Sequence, residues 1–202
     1  MDLLSLINRR KASLKPCSTT VTDMQGKRYE IVNGEVKRIS QGFAFVIDTK
    51  PNLQVAQILP GLYLGSQDPA LSIELLTEFQ IHHILSIGID IPIKFGGIHY
   101  HYIDLLDLPE CDILEALKKC IKLIHTHRTE NIFVHCNAGV SRSPAIVISY
   151  LMAVEQLDYE CAYERVKSTR TCIKPNEGFA RQLKLLNPKD LYSYIEKLPT
   201  GN

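Results

Sequence analysis

Residues 144 to 154, PAIVISYLMAV, carry almost no polar side chain. A helix built from such a run is apolar on nearly every side and has to be covered all round, which places it at the centre of a core. It is too short to cross a bilayer, for which ~20 such residues are needed. What precedes it narrows the choice further. Ile132-Phe133-Val134 has the β-branched and aromatic composition of a short strand, and only HCNAGVSRS separates it from the helix. Strand, tight loop and buried helix in that order form one step of an α/β sheet.

The surrounding chain repeats the alternation. Apolar runs predict strands over 54–58, 62–64, 84–87 and 100–103 as well as 132–134. Helical spacing predicts helices over 69–79, 113–125, 143–154, 159–168 and 177–186, the second through Ile113, Leu117, Cys120, Ile121 and Ile124. Residues 1–52 are polar and interrupted by Gly26, Asn33-Gly34 and Gly42, so they read as an N-terminal extension. It has an amphipathic start at Leu3, Leu4 and Ile7, and GFAFVIDTKPN is expected as a strand or a tethered segment. The compact α/β domain is expected over 53–190, with 191–202 as a C-terminal tail.

Charge excludes some partners. With 23 basic and 22 acidic residues the net charge is +1, which gives no global attraction to nucleic acid or to an anionic membrane. Met1-Asp2-Leu3 opens neither a secretory signal nor a myristoylation motif. The cysteines at 17, 111, 120, 136, 161 and 172 form no CxxC pair. That pattern fits a reducing compartment, and the expected location is cytoplasmic with access to the nucleus. The histidine pairs His82-His83, His99/His101 and His125/His127 show no third or fourth ligand at metal spacing. No metal or other cofactor is expected, and these rings are expected at strand edges and on helix surfaces.

The loop carries the chemistry. Between a strand and a helix N-terminus, the amides of Asn137, Ala138, Gly139, Val140, Ser141 and Arg142 can turn inward and cradle an anion, with the helix adding positive potential. Gly139 allows close approach, no carboxylate lies inside the loop, and Arg142 offers its planar fork to two phosphate oxygens. The same field favours negative sulfur at Cys136. A thiolate on the floor of a phosphate site is placed for in-line attack on phosphorus, giving a phosphocysteine.

HCNAGVSRS resembles the HCxxGxxRS signature of the cysteine-dependent protein tyrosine phosphatases, and within them the dual-specificity branch. LPGLYLGSQDPA (59–70), HHILSIG (82–88), IDLLDLPECDIL (103–114) and KPNEGF (174–179) are similar to other landmarks of that branch, in the same order. The resemblance spans about residues 53–190. It implies a central mixed, mostly parallel sheet flanked by helices. It also implies hydrolysis of phosphotyrosine and phosphoserine or phosphothreonine without metal or cofactor. About 50 residues precede this part, too few for a rhodanese-like kinase-docking domain, so the chain resembles the small, atypical members. MDLLSLINRRKASLKPC and LGSQDPA are similar to members that regulate stress-activated kinase pathways. Phosphorylated proteins, with protein kinases or their scaffolds among them, are therefore the expected partners.

Expelling a serine, threonine or tyrosine oxygen takes a proton, and Asp104, Asp107 and Asp112 are upstream candidates to supply it. The resemblance favours Asp107, with Asp104 as the strand-end alternative and Asp112 as the cap of the next helix. Ser143 is expected to hydrogen-bond the thiolate and ease its departure. The resemblance assigns His135 to orienting the cysteine backbone and Asn176 to bracing the phosphate loop through its side chain. Arg165, Lys167, Arg170 and Lys174 are expected either to flank the pocket or to form a solvated helix face. Cys111, beside the acid loop, is the first candidate to pair with an oxidised Cys136. The main alternative, a phosphatase of inositol lipids or RNA ends, is disfavoured by the uncharged stretch Asn137–Ser141 and the balanced charge.

Overall fold

The computed structural model describes residues 18–22, 27–32, 35–41 and 51–196, and the chain divides into two compact units between Lys50 and Pro51. In the first unit, β1 (Ser18–Thr22), β2 (Lys27–Val32) and β3 (Glu35–Gln41) form an antiparallel sheet in that order. The extension expected from composition therefore holds a sheet of its own. Val32 pairs with Glu35, so Asn33-Gly34 lies between two strands, and Asn-Gly in that setting is a hairpin signal rather than a mere break. The amphipathic start and most of GFAFVIDTKPN fall outside the described residues.

The second unit is the expected α/β layer structure. Its strands are β4 (Ala56–Leu59), β5 (Leu62–Gly65), β6 (His83–Ile87), β7 (His99–Ile103) and β8 (Ile132–His135). They lie in the order β4-β5-β8-β6-β7, antiparallel only between β4 and β5. The helices are α1 (Ile73–Glu78), α2 (Leu114–His127), α3 (Arg142–Glu155), α4 (Tyr159–Thr169), α5 (Glu177–Leu185) and α6 (Pro188–Glu196). The single helix expected over 69–79 is a 3-10 turn, Pro69–Leu71, followed by α1, because Ser72 leaves helical geometry and caps α1 through the Leu75 amide. The strand expected over 54–58 begins two residues later and ends one later, at Ala56–Leu59.

β8 occupies the middle of the sheet, buried along its whole length, and α3 packs against it. All residues of α3 from Ser143 to Ala153 are buried, as its composition demands. The larger core joins α2, α3, α4, α5 and the sheet face bearing Leu85, Ile87 and Val134. A smaller one on the other face gathers Tyr63, Leu76, Ile84, Ile91 and Phe133. The expected tail from 191 is not a tail over its first six residues. Leu191 and Ile195 of α6 are buried in the larger core against α2 and α3.

The histidines correct the sequence reading. His83, His101 and His127, expected apart, converge from β6, β7 and α2. His82 bonds the Glu130 carbonyl and His125 lies 3.2 Å from the Tyr150 hydroxyl. No described helix is long and apolar enough to cross a membrane.

Candidate active site

Because β8 is central and its parallel neighbours point the same way, residues 136–141 emerge at the middle of the sheet's C-terminal edge, where α/β sheets place their ligands. The loop is held from outside by its carbonyls. Asn137 O accepts from the Gln67 amide at 3.0 Å, Ala138 O from Arg170 Nη2 at 3.1 Å, Gly139 O from Arg170 Nε at 3.0 Å and Val140 O from the Lys174 amide at 2.7 Å. Four consecutive carbonyls turned outward leave the amides on the inner side, forming the expected anion nest at the N-terminus of α3. Gly139 sits at φ +65°, and a Cβ there would run into the Gly65 carbonyl. Only glycine closes the loop this tightly.

On the floor of this nest, Cys136 is 2% exposed and its Sγ accepts a hydrogen bond from Ser143 Oγ at 3.2 Å. His135 is fully buried, with Nδ1 3.2 Å from the Cys136 carbonyl and Nε2 2.8 Å from Ser86 Oγ. A carbonyl only accepts, so Nδ1 carries the proton and Nε2 receives the serine hydroxyl. Burial pushes this imidazole down to about 4, so it is neutral at physiological pH and fixes the cysteine backbone instead of exchanging protons.

Arg142 opens α3, and its Nη1 donates to the Gly88 carbonyl at 2.9 Å, which aims the guanidinium along the mouth of the loop. Its Nε is buried and makes no hydrogen bond among the described residues. A buried donor without a partner is costly, and one at the rim of an anion cradle is suited to a phosphate oxygen.

Asp107 closes the site from above. Its Oδ1 accepts from Ser141 Oγ at 2.6 Å and from Asn176 Nδ2 at 2.8 Å, and its Oδ2 lies 3.7 Å from Arg142 Nε. Asp104 instead accepts from Tyr102 Oη at 3.3 Å, a contact that does not involve the loop. Asp112 accepts from the Leu114 amide at 2.9 Å, but the cap position expected for it belongs to Ile113, one residue later, so it bonds the first amide of α2 from outside the helix. Of the three carboxylates, Asp107 alone bonds to the loop among the described residues.

Two expectations change. The side chain of Asn176 does not reach the phosphate loop directly: its Oδ1 caps α5 through the Phe179 amide and its Nδ2 holds Asp107. The bracing passes through its backbone N–H, which donates to Ser141 Oγ at 3.0 Å. Of the four basic residues, only Arg170 turns inward. It is fully buried, and besides the two loop carbonyls it meets Gln54 O at 3.4 Å and Gln54 Oε1 at 3.2 Å. Arg165 pairs with Glu155, Lys167 donates to Tyr163 Oη, and Lys174 serves through its amide. No local pattern marks Arg170. Its one sequence signal is a position at the end of a helical run just before KPNEGF. Cys111 and Cys136 are both free thiols.

Comparison with known proteins agrees with this geometry. Residues 62–189 match the family model for the dual specificity phosphatase catalytic domain. The chain is 40% identical over 146 residues to mouse (Mus musculus) dual specificity protein phosphatase 19, covering 71% of this chain and 66% of that protein. It is 33% identical over 227 residues to a probable dual specificity protein phosphatase of Dictyostelium discoideum, covering 94% of this chain and 99% of the relative. The crystal structure of DUSP15 superposes with a TM-score of 0.65 at 36% identity, covering 70% of this chain and 94% of that one. A phosphate nest floored by a cysteine, with an aspartate held above it, on a matching sheet and within a matching sequence, places the chain in the dual specificity phosphatase family, as an atypical, cysteine-based, dual-specificity protein phosphatase.

Proposed function

We propose that Cys136, Arg142, Asp107 and Ser143 carry out the family's two-step hydrolysis on phosphorylated signalling proteins. The supporting observation is the placement of the Asp107 carboxylate, tied to Ser141 and Asn176, over the nest whose floor is the Cys136 sulfur. In the first step Sγ attacks phosphorus, the bond from phosphorus to the substrate oxygen breaks, and that oxygen takes the Asp107 proton as it leaves. The inner amides of 137–141 and the Arg142 fork meet the charge that builds on the three equatorial oxygens. In the second step Asp107 takes a proton from water, the water oxygen attacks phosphorus, and the phosphorus–sulfur bond breaks, releasing inorganic phosphate. The Ser143 hydroxyl, already on Sγ, stabilises the departing thiolate.

The substrate class follows from the rim. Tyr102, Leu106 and Leu108 are exposed apolar side chains on the segment that carries Asp107. They suit the residues flanking a phosphorylated side chain in a protein better than a highly charged headgroup. Components of stress- or mitogen-activated kinase pathways, in the cytoplasm with access to the nucleus, are the proposed setting.

The test compares variants on phosphotyrosine and phosphothreonine peptides. Cys136→Ser is expected to abolish turnover. Asp107→Ala should lower kcat by roughly 10²-fold or more while inorganic phosphate still binds, and Asp104→Ala should stay near the parent. A Cys136→Ser protein that turns over, or an inverted order of the two aspartates, overturns the assignment.

A further inference from the structure

Four imidazoles meet at the end of the sheet away from the phosphate loop. His83 opens β6, and its register partner His99 and the next-but-one residue His101 lie on β7, while His127 ends α2. The rings pack face to face. Their centroids are 3.9 Å apart for His83 and His127, 5.0 Å for His83 and His99, and 5.4 Å for His83 and His101. His83 is 4% exposed, so its two ring nitrogens must find partners inside the cluster. Nδ1 lies 3.1 Å from His101 Nε2, and Nε2 lies 3.4 Å from Glu130 Oε2. The other carboxylate oxygen of Glu130 is 3.8 Å from His127 Nδ1, a buried nitrogen with no hydrogen bond among the described residues.

Plain aromatic packing would account for one or two rings, but not for three ring nitrogens drawn to one point. One ring nitrogen from each of His83, His101 and His127 lies within 4.8 Å of the others. A tetrahedral site with metal–nitrogen bonds of about 2.1 Å brings such atoms to about 3.4 Å. His101 and His127 are only partly buried, so turning their rings can supply the difference. Three imidazoles form a donor set suited to a borderline divalent cation of the zinc type, not to calcium or magnesium.

We propose that His83, His101 and His127 form a zinc-type site that ties β6, β7 and the end of α2 together, with a water molecule completing the tetrahedron. It lies about 16 Å along β6 from the Gly88 carbonyl that holds Arg142, so its role is structural and separate from phosphate transfer. Phosphatase chemistry needs none of these residues, and the proposal stands or falls independently of it.

The experiment uses full-length, chelator-treated protein carrying Cys136→Ser, which removes the reactive thiolate as a competing ligand, and titrates it with Co²⁺ and then Zn²⁺. One equivalent of Co²⁺ should bind with visible d–d absorption and without the near-ultraviolet sulfur-to-cobalt charge-transfer band. Zn²⁺ should displace it and raise the melting temperature. His101→Gln and His127→Gln should each weaken Co²⁺ binding tenfold or more with unchanged circular dichroism, while His125→Gln should bind as the parent does. No bound Co²⁺, a sulfur band on binding, or equal affinity in His101→Gln and the parent would overturn the site.

Discussion

The Arg170 guanidinium is buried beside oxygens alone, and two of these are carbonyls of consecutive loop residues, Ala138 and Gly139. Removing it strands buried acceptors, at about 1–3 kcal/mol each, and frees the loop to turn those carbonyls inward. Arg170→Met, which retains length and loses the donors, is therefore expected to lower the melting temperature and to raise the KM for an aryl phosphate. Arg170→Lys should recover little, because one ammonium cannot serve both carbonyls in their fixed positions. His135 makes a different prediction. Its folded-state value of about 4 lies below the 6.5 of an ordinary histidine, so the unfolded chain binds the proton more readily. Its contribution is complete above about pH 6.5, falls as pH is lowered, and is gone below about 4, a loss on the order of 3 kcal/mol. Denaturant unfolding of the parent and of His135→Gln across pH 4 to 7 should show the steeper decline in the parent.

The helices carry the second set of expectations, and one of them opposes propensity. Gly178 sits inside α5, where alanine would ordinarily be favoured by about 0.5–1 kcal/mol. A Cβ at this position would collide with the Pro109 carbonyl, two residues beyond Asp107. Gly178→Ala should therefore displace the acid loop. The expected signature is a fall in kcat with inorganic phosphate still bound, measured alongside a melting curve; unchanged kcat would show that the loop gives way freely. In α6, Leu191 is fully buried against α2 and α3. Leu191→Ala should cost about 2–5 kcal/mol by leaving a cavity, which chemical denaturation measures directly. That value would not be expected of a residue in a tail. The apolar positions of α6 follow PKDLYSYIE only at Leu191, Tyr194 and Ile195, too few to stand out as a core-facing stripe along the chain.

At the scale of the molecule, the unit from Pro51 onward contains the whole five-stranded sheet, both hydrophobic clusters and every residue placed in the site. Residues 51–202 alone are expected to hydrolyse an aryl phosphate at a rate close to that of the full chain; a tenfold loss would give the N-terminal sheet a part in catalysis. What is legible in the amino-acid order alone is local. An apolar run such as 144–154 has one stable surrounding, a strand feeding nine residues into it forms one kind of loop, and Gly139 in that loop answers a backbone demand set by its neighbours. Most strands and helices between β4 and α5, and the loop with its cysteine and arginine between β8 and α3, were legible from these patterns, because each depends on residues a few positions apart. Tertiary structure decided what depends on distant partners: the Asp107 carboxylate on Ser141 of the loop, Arg170 behind the loop from 31 residues away, Gly88 as the rest for Arg142, and three histidines from three elements at one point. Side-chain type and spacing limit what a segment can become, whereas a convergence across the sheet exists only once strand order and register have brought the segments together.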